Sequence, residues 1–180
     1  MKVLLTSTGF SNNHFKELFI DNINKPIDQV KVLFVPTAAI DEDAIGMLPF
    51  CKKDLVDAGV LLEHIVTYNL DYCMNLNELS LFDAIYFCGG NEDYLIDRIN
   101  KIYFAPILLA AISKGLFYIG VSAGSMIASA SVENSLGLIQ NELEPHTLEY
   151  TPCGPLPDGK IYLSDNQAIW ITDYTKEIIK

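Results

Sequence analysis

The sequence predicts an α/β protein in which a mainly parallel sheet lies between two layers of helices. Two observations support this prediction. Five short apolar runs have the composition of buried strands, and segments with helical spacing of apolar residues separate them. Because continuous apolar strands are typical of parallel sheets covered on both faces, the alternation indicates a three-layer sandwich. The length of 180 residues fits a single domain spanning 1–180.

The strand-like runs are rich in Val, Ile, Leu, Phe and Tyr, and all end before residue 123. They comprise KVLLTS (2–7), KVLFVPT (31–37), VLLEHIV (60–66), AIYFCGG (84–90) and LFYIGVS (116–122). Two later runs, KIYLS (160–164) and QAIWIT (167–172), flank an Asp-Asn pair. We expect these two runs to pair with each other as a C-terminal β-hairpin.

Helical patterns fill the intervals between the strands. They cover residues 13–23, 43–59, 91–100 and 104–115. The second pattern ends at Gly59, a suitable residue for a helix terminus, and contains Pro49, which predicts a kink or a break.

The composition limits the partners that the protein can have. The net charge is -11, whereas binding to nucleic acid or to an anionic membrane favours a basic surface, so we expect neither partner. No run approaches the ~18 apolar residues of a membrane span, and the start of the chain does not resemble a signal peptide. The four cysteines form no CxxC pair, which predicts reduced thiols, no metal site and a cytoplasmic location.

The segment GVSAG (120–124) follows the fifth apolar run and fits the pattern G-x-S-x-G. Between a strand and a helix, this pattern forms a sharp turn that exposes a nucleophilic serine at the end of a sheet. Ser122 is therefore a candidate nucleophile, and the N–H of Ala123 can face a developing oxyanion. The simpler interpretation is a glycine-rich turn before a helix of small residues.

A nucleophilic serine requires a base, and the chain has three histidines. His64 lies within a strand-like run, and His14 follows the first loop and can begin a helix. His146 follows Pro145 in an irregular segment after Ser122, which makes it the best candidate base. The candidates for the acid that orients this histidine are Glu133, Glu142, Glu144 and Glu149.

The segment CGGN (88–91) supplies a second candidate oxyanion donor, the N–H of Gly90. A glycine pair at a strand end lets the backbone approach a substrate carbonyl closely. In the simpler interpretation, which is compatible with the first, the pair forms a tight turn and Asn91 caps the next helix.

The first loop, TSTGFSNN (6–13), indicates a competing function. Its hydroxyl groups and glycine precede a helix and could hold a phosphate, as in the FMN-binding loop of flavodoxins. The alternative hypothesis is therefore a small acidic electron carrier that binds FMN.

The whole chain resembles the peptidase E (aspartyl dipeptidase) family. The similarity lies in YFCGGN, then YIGVSAGSMIA, then LGLI and EPH, and later SDNQAIWI, in that order. The resemblance implies a serine hydrolase with the fold of class I glutamine amidotransferases. It implies Ser122 as nucleophile, His146 as base, and Gly90 and Ala123 as oxyanion donors. Some members use glutamate as the acid, and Glu133 is the position that we match to it.

Two departures from the family bear on the substrate. The segment after His146 contains no arginine, and Glu92 stands where members often have threonine. We therefore expect hydrolysis of a short peptide or related amide without a preference for aspartyl residues, with Asn91 and Glu92 beside the substrate. We expect no cofactor and no metal, and a homodimer is compatible with this hypothesis. A catalytically inactive relative that only binds its ligand is a further alternative.

Overall fold

A computed structural model describes all residues, 1–180, and contains ten strands and six α-helices. The strands are β1 (Lys2–Thr6), β2 (Val32–Val35), β3 (Ile65–Thr67), β4 (Ala84–Phe87), β5 (Phe117–Val121), β6 (Leu143–Pro145), β7 (Gly154–Pro155), β8 (Ile161–Leu163), β9 (Ala168–Ile171) and β10 (Lys176–Ile179). The helices are α1 (Asn13–Asn22), α2 (Glu42–Asp57), α3 (Leu76–Leu79), α4 (Glu92–Lys101), α5 (Ala105–Ser113) and α6 (Ala123–Met126). The helix α2 continues through Pro49, which lies on its exposed side.

Eight strands form one sheet in the order β3-β2-β4-β5-β1-β9-β10-β7. The first five are parallel, and β9, β10 and β7 extend the sheet in antiparallel pairs. The first strand of the chain therefore lies inside the sheet, with Val3 paired to Tyr118 on one side and Ile171 on the other. The prediction of an α/β fold with a mainly parallel sheet is confirmed.

The C-terminal hairpin is present, but it consists of β9 and β10, with Ile171 opposite Lys176. The expectation that residues 160–164 pair with residues 167–172 is wrong. Instead, β8 pairs in parallel with β6 in a separate two-stranded sheet, with Leu143 opposite Ile161. The strands β8 and β9, on either side of the turn at Asp165, do not pair with each other. Both edges of β9 are occupied, one by β1 and the other by β10.

Both faces of the large sheet are covered by helices, as the continuous apolar strands predict. Successive residues of β4 show this, since Tyr86 packs in a core cluster of 19 buried residues and Phe87 in one of 33. The smaller cluster includes Phe19 of α1 and Leu55 of α2, and the larger includes Leu95 of α4. The α/β sandwich therefore has three layers. None of its helices combines the length and the apolar character that crossing a bilayer requires.

Candidate active site

Ser122 lies at the carboxyl end of β5, in a tight turn that leads directly into α6. Its backbone has φ 49° and ψ -107°, a conformation that non-glycine residues rarely adopt. A Cβ atom at position 120 would lie 2.5 Å from the carbonyl oxygen of Gly124, so only glycine lets α6 approach β5 this closely. The Ser122 N–H donates to Thr6 O at 2.9 Å, which fixes the turn to β1. Ser122 itself is left partly exposed at the carboxyl end of the strand.

The loop after β4 lies against this turn, since a Cβ atom at Gly89 would be 3.2 Å from Ser122 Cβ. Gly90 has φ +133°, and a Cβ atom there would lie 2.1 Å from Ala38 O, so the position requires glycine. The N–H groups of Gly90 and Ala123 donate no hydrogen bond within the protein. Both predicted oxyanion donors are therefore unpaired within the protein, although Ala123 is buried.

The imidazole of His146 pairs with the carboxylate of Asp165, with Nδ1 and Oδ1 2.9 Å apart. Both side chains are about half exposed, at 48% for His146 and 59% for Asp165. The two residues are 19 positions apart in the sequence. His146 directly follows β6, and Asp165 follows β8. Pairing of these two strands brings their ends together.

Glu133 does not occupy the position that we matched to the orienting acid. The segment after α6 folds back on itself, with Leu136 N–H donating to Ile127 O and Leu138 N–H to Ala128 O. This turn holds Glu133 at the exposed surface, where it makes no hydrogen bond or ion pair with His146. The carboxylate beside His146 is that of Asp165 and not that of Glu133.

Hydroxyl groups of the loop after β1 hold the histidine and the aspartate in place. Ser7 Oγ donates to Leu163 O at 2.8 Å and accepts from His146 N–H at 3.3 Å. Thr8 and Ser11 donate to Asp165 O at 3.1 and 3.3 Å. The loop that could have held a phosphate thus uses its hydroxyls within the protein, and this positioning role was not predicted.

The other candidate residues lie apart from this arrangement. His14 is exposed in the first turn of α1, and His64 lies in a short 3-10 helix before β3. Glu144 pairs with Lys160 at 2.6 Å on the surface. Asn91 caps α4 by accepting from Tyr94 N–H at 2.7 Å, which is the capping role that the sequence also predicts.

A cleft of about 220 Å³ joins Ser122, His146 and Gly90. One wall is a face of α2, formed by Ala44, Met47, Leu48, Phe50, Cys51 and Asp54. Neither Asn91 nor Glu92 lines this cleft, and no lysine or arginine does. No group of three or more His, Cys, Asp and Glu side chains is arranged to hold a metal ion.

The sequence profile of Peptidase family S51 matches residues 3–151. The chain belongs to this family. The matched residues include Ser122 and His146, and the resemblance to the peptidase E family is confirmed. Family membership and the internal use of the first loop's hydroxyls favour the hydrolase hypothesis over the FMN carrier.

Relatives of this S51 chain include an uncharacterised peptidase of Listeria monocytogenes, 31% identical over 101 residues, which are 56% of this chain and 49% of that protein. Peptidase E of Streptomyces coelicolor is 27% identical over 135 residues, 68% of this chain and 53% of that one. The chain thus matches about half the length of each. A crystal structure of a protein assigned as a peptidase E from Listeria monocytogenes has the same fold, with a TM-score of 0.75, 23% identity, and coverage of 99% of this chain and 98% of that one.

Proposed function

We propose that the protein is a serine peptidase that cleaves a short peptide or a related amide through an acyl-enzyme. The observation that carries the proposal is the placement of Ser122, His146 and the unpaired N–H of Gly90 around one cleft. Asp165 pairs with the histidine, and the unpaired N–H of Ala123 directly follows the serine in the chain. These groups supply a nucleophile, a base with its orienting acid, and donors for an oxyanion. The family's peptidase name supports the same reaction class.

Asp165 accepts a hydrogen bond from Nδ1–H of His146, which leaves Nε2 as the basic nitrogen. Ser122 Oγ attacks the substrate carbonyl while His146 takes its proton. The N–H groups of Gly90 and Ala123 stabilise the negative charge on the carbonyl oxygen. His146 then protonates the leaving amine, and later removes a proton from the water that hydrolyses the acyl-enzyme.

The proposal is tested by labelling with a fluorophosphonate, which reacts with activated serines, followed by peptide mapping and by assays on a dipeptide panel. Ser122→Ala should abolish labelling and lower kcat/KM by about 10³-fold or more, and His146→Ala should lower it similarly. Because the two residues act as a unit, the double variant should be little worse than either single one.

The matched control is Ser113→Ala, since Ser113 is an exposed serine that bonds only within α5. Its labelling and turnover should equal those of the wild type. An adduct on Ser7 or Ser125, or full activity of His146→Ala, would contradict the assignment. Folded protein that neither reacts nor turns over any peptide would support the inactive ligand-binding relative instead.

A further inference from the structure

The cleft contains a carboxylate that the proposed reaction does not use. Asp54 lies on the face of α2 that lines the cleft, together with the apolar side chains of Met47 and Phe50. Apart from His146, it is the only residue among those that line the cleft whose side chain commonly carries a charge at neutral pH. An isolated carboxylate on an apolar wall is costly unless a partner compensates it.

One oxygen of this carboxylate is fixed and the other is free. Asp54 Oδ2 accepts from the N–H of Phe10 at 2.9 Å and from the hydroxyl of Tyr86 at 3.0 Å. Asp54 Oδ1 accepts no hydrogen bond and is not sealed from solvent. The two donors set the orientation of the group, so its second oxygen is preorganised for a ligand in the cleft.

The surroundings of Asp54 favour a cationic ligand over an anionic or neutral one. No lysine or arginine lines the cleft, and none forms an ion pair with Asp54. Burial raises the pKa of the Asp54 carboxyl, and Phe10 N–H and Tyr86 OH oppose this rise. The ionised form is therefore under-solvated, and an ammonium group beside it would gain a charge-assisted hydrogen bond.

We propose that Asp54 is a specificity-determining residue that binds a substrate ammonium group while the scissile carbonyl lies at Ser122. The proposal rests on the function proposed above, because it assigns a subsite of the same cleft. The ammonium can be the free amino terminus of the peptide or the side chain of a basic residue. In both cases an aspartyl side chain directed at this wall meets a like charge and is disfavoured.

The test uses diphenyl α-aminoalkyl phosphonates, in which the reacting phosphorus is attacked by Ser122 Oγ. The P–O bond to one phenoxide breaks, and the serine proton passes through His146 to give phenol. Four probes combine a norleucine-like or a lysine-like side chain with a free or an acetylated amine, and a fifth carries an aspartate-like side chain. Labelling rates at Ser122 are read by mass spectrometry.

If the amino terminus supplies the cation, acetylation should slow labelling of the wild type by about tenfold or more for both side chains. If the side chain supplies it, the acetylated lysine-like probe should react about tenfold faster than the acetylated norleucine-like one. The aspartate-like probe should react most slowly. Equal rates for all five probes on the wild type overturn the proposal without any variant.

Asp54→Asn keeps the shape of the side chain and removes its charge, so it should abolish the preference for the cationic probes. Asp57→Asn makes the same change one turn further along α2, at an exposed residue that pairs with Lys53, and should leave the preference intact. If Asp54 serves only to hold Phe10 and Tyr86, its variant will change stability and not selectivity, which contradicts the proposal.

A binding measurement separates this inference from the proposed function. Norleucine amide, lysine amide and their acetylated forms are titrated calorimetrically into the wild type and Asp54→Asn. Tighter binding of the cationic compounds to the wild type alone supports Asp54 even if Ser122 proves unreactive. Labelling of Ser122 by the fluorophosphonate, combined with binding that Asp54→Asn does not change, refutes the inference and leaves the peptidase standing.

Discussion

Asp165 pairs with His146 from a turn where its own side chain is 59% exposed, and we propose that it orients the imidazole. Because Asn at this position can hold the wrong tautomer of the imidazole, we expect Asp165→Asn to lower kcat by about 10²-fold or more with little change in KM. Asp165→Glu should restore part of the activity. Steady-state kinetics on the same dipeptides provide the measurement.

Glu133→Gln is the control for this prediction, since Glu133 is exposed and away from the histidine. Its kinetics should match those of the wild type. If Glu133→Gln lowers kcat and Asp165→Asn leaves it unchanged, Asp165 is not the residue that orients His146.

Asp54 should also change how the free energy of unfolding depends on pH. Burial raises the pKa of its carboxyl above the ordinary value of 3.8, so the folded state holds this proton more tightly than the unfolded state. The stabilising contribution of the protonated form is complete below pH 3.8 and is lost as the pH rises through the higher pKa of the folded state. Relative to the wild type, Asp54→Asn should therefore become more stable as the pH is raised through this window.

Urea unfolding of both proteins at intervals from about pH 3 to pH 7 measures this difference. The comparison cancels the contributions of the other carboxylates, which the two proteins share. A constant difference across the range would show that the pKa of Asp54 is the same in the folded and unfolded states.

Two glycines show how differently individual elements tolerate a methyl group. Gly46 lies in α2, where an added Cβ would meet nothing within 4 Å, so Gly46→Ala should stabilise the protein by about 0.5–1 kcal/mol. Gly120 lies in β5 against α6, where the Cβ would lie 2.5 Å from a backbone oxygen. We expect Gly120→Ala to destabilise the protein by about 1–3 kcal/mol.

Denaturation midpoints with unchanged m-values would give both numbers. Gly115→Ala provides a third case, since its Cβ also meets nothing but its φ of +109° is unfavourable for alanine. It should therefore destabilise the protein through the backbone alone. Wild-type stability of Gly120→Ala would show that α6 can move away from β5 at no cost.

The elements that the sequence predicted well are those with strong local signals. The five parallel strands and the helices α1, α2, α4 and α5 follow from runs of apolar residues, and the turn at Ser122 follows from its flanking glycines. The partner of β8 did not follow, because Ile161 and Leu163 alternate equally well in a hairpin or beside β6. That pairing is decided by which edges remain open in the assembled sheet.

The same limit applies to the site. Ser122, His146, Gly90 and Ala123 carry recognisable local patterns, and the structure brings all but Ala123 to the lining of one cleft. Asp165 stands in a turn that reads as an ordinary hairpin signal, and its place beside His146 depends on the pairing of β6 with β8. One signal in the sequence could have identified Asp165. It is an acidic residue directly after a strand-like run, in a segment that the family resemblance also covers.

At the scale of the whole molecule, the net charge of -11 should oppose folding through self-repulsion. The ion pairs are mostly exposed, so screening them costs little stability. Raising NaCl from about 0.01 to 0.15 M, which shortens the Debye length from about 30 to 8 Å, should therefore raise Tm at pH 7. A thermal scan at both salt concentrations measures the shift.

The control is the same pair of scans near the sequence pI of about 4.5, where net self-repulsion is small. The salt effect should be much weaker there. A fall in Tm with salt at pH 7 would indicate that specific ion pairs stabilise the fold more than self-repulsion opposes it.

The position of β1 constrains the order in which a nascent chain can fold. Its residues leave the ribosome before those of both neighbouring strands, since one edge pairs with β5 and the other with β9, more than 160 positions later at Val3 and Ile171. The loop that follows β1 forms hydrogen bonds with His146 and Asp165, so the His146–Asp165 pair cannot reach its final position until the segments that carry both residues have been synthesised. Until then an apolar strand edge stays open, which makes the incomplete chain a substrate for chaperones and a source of aggregation.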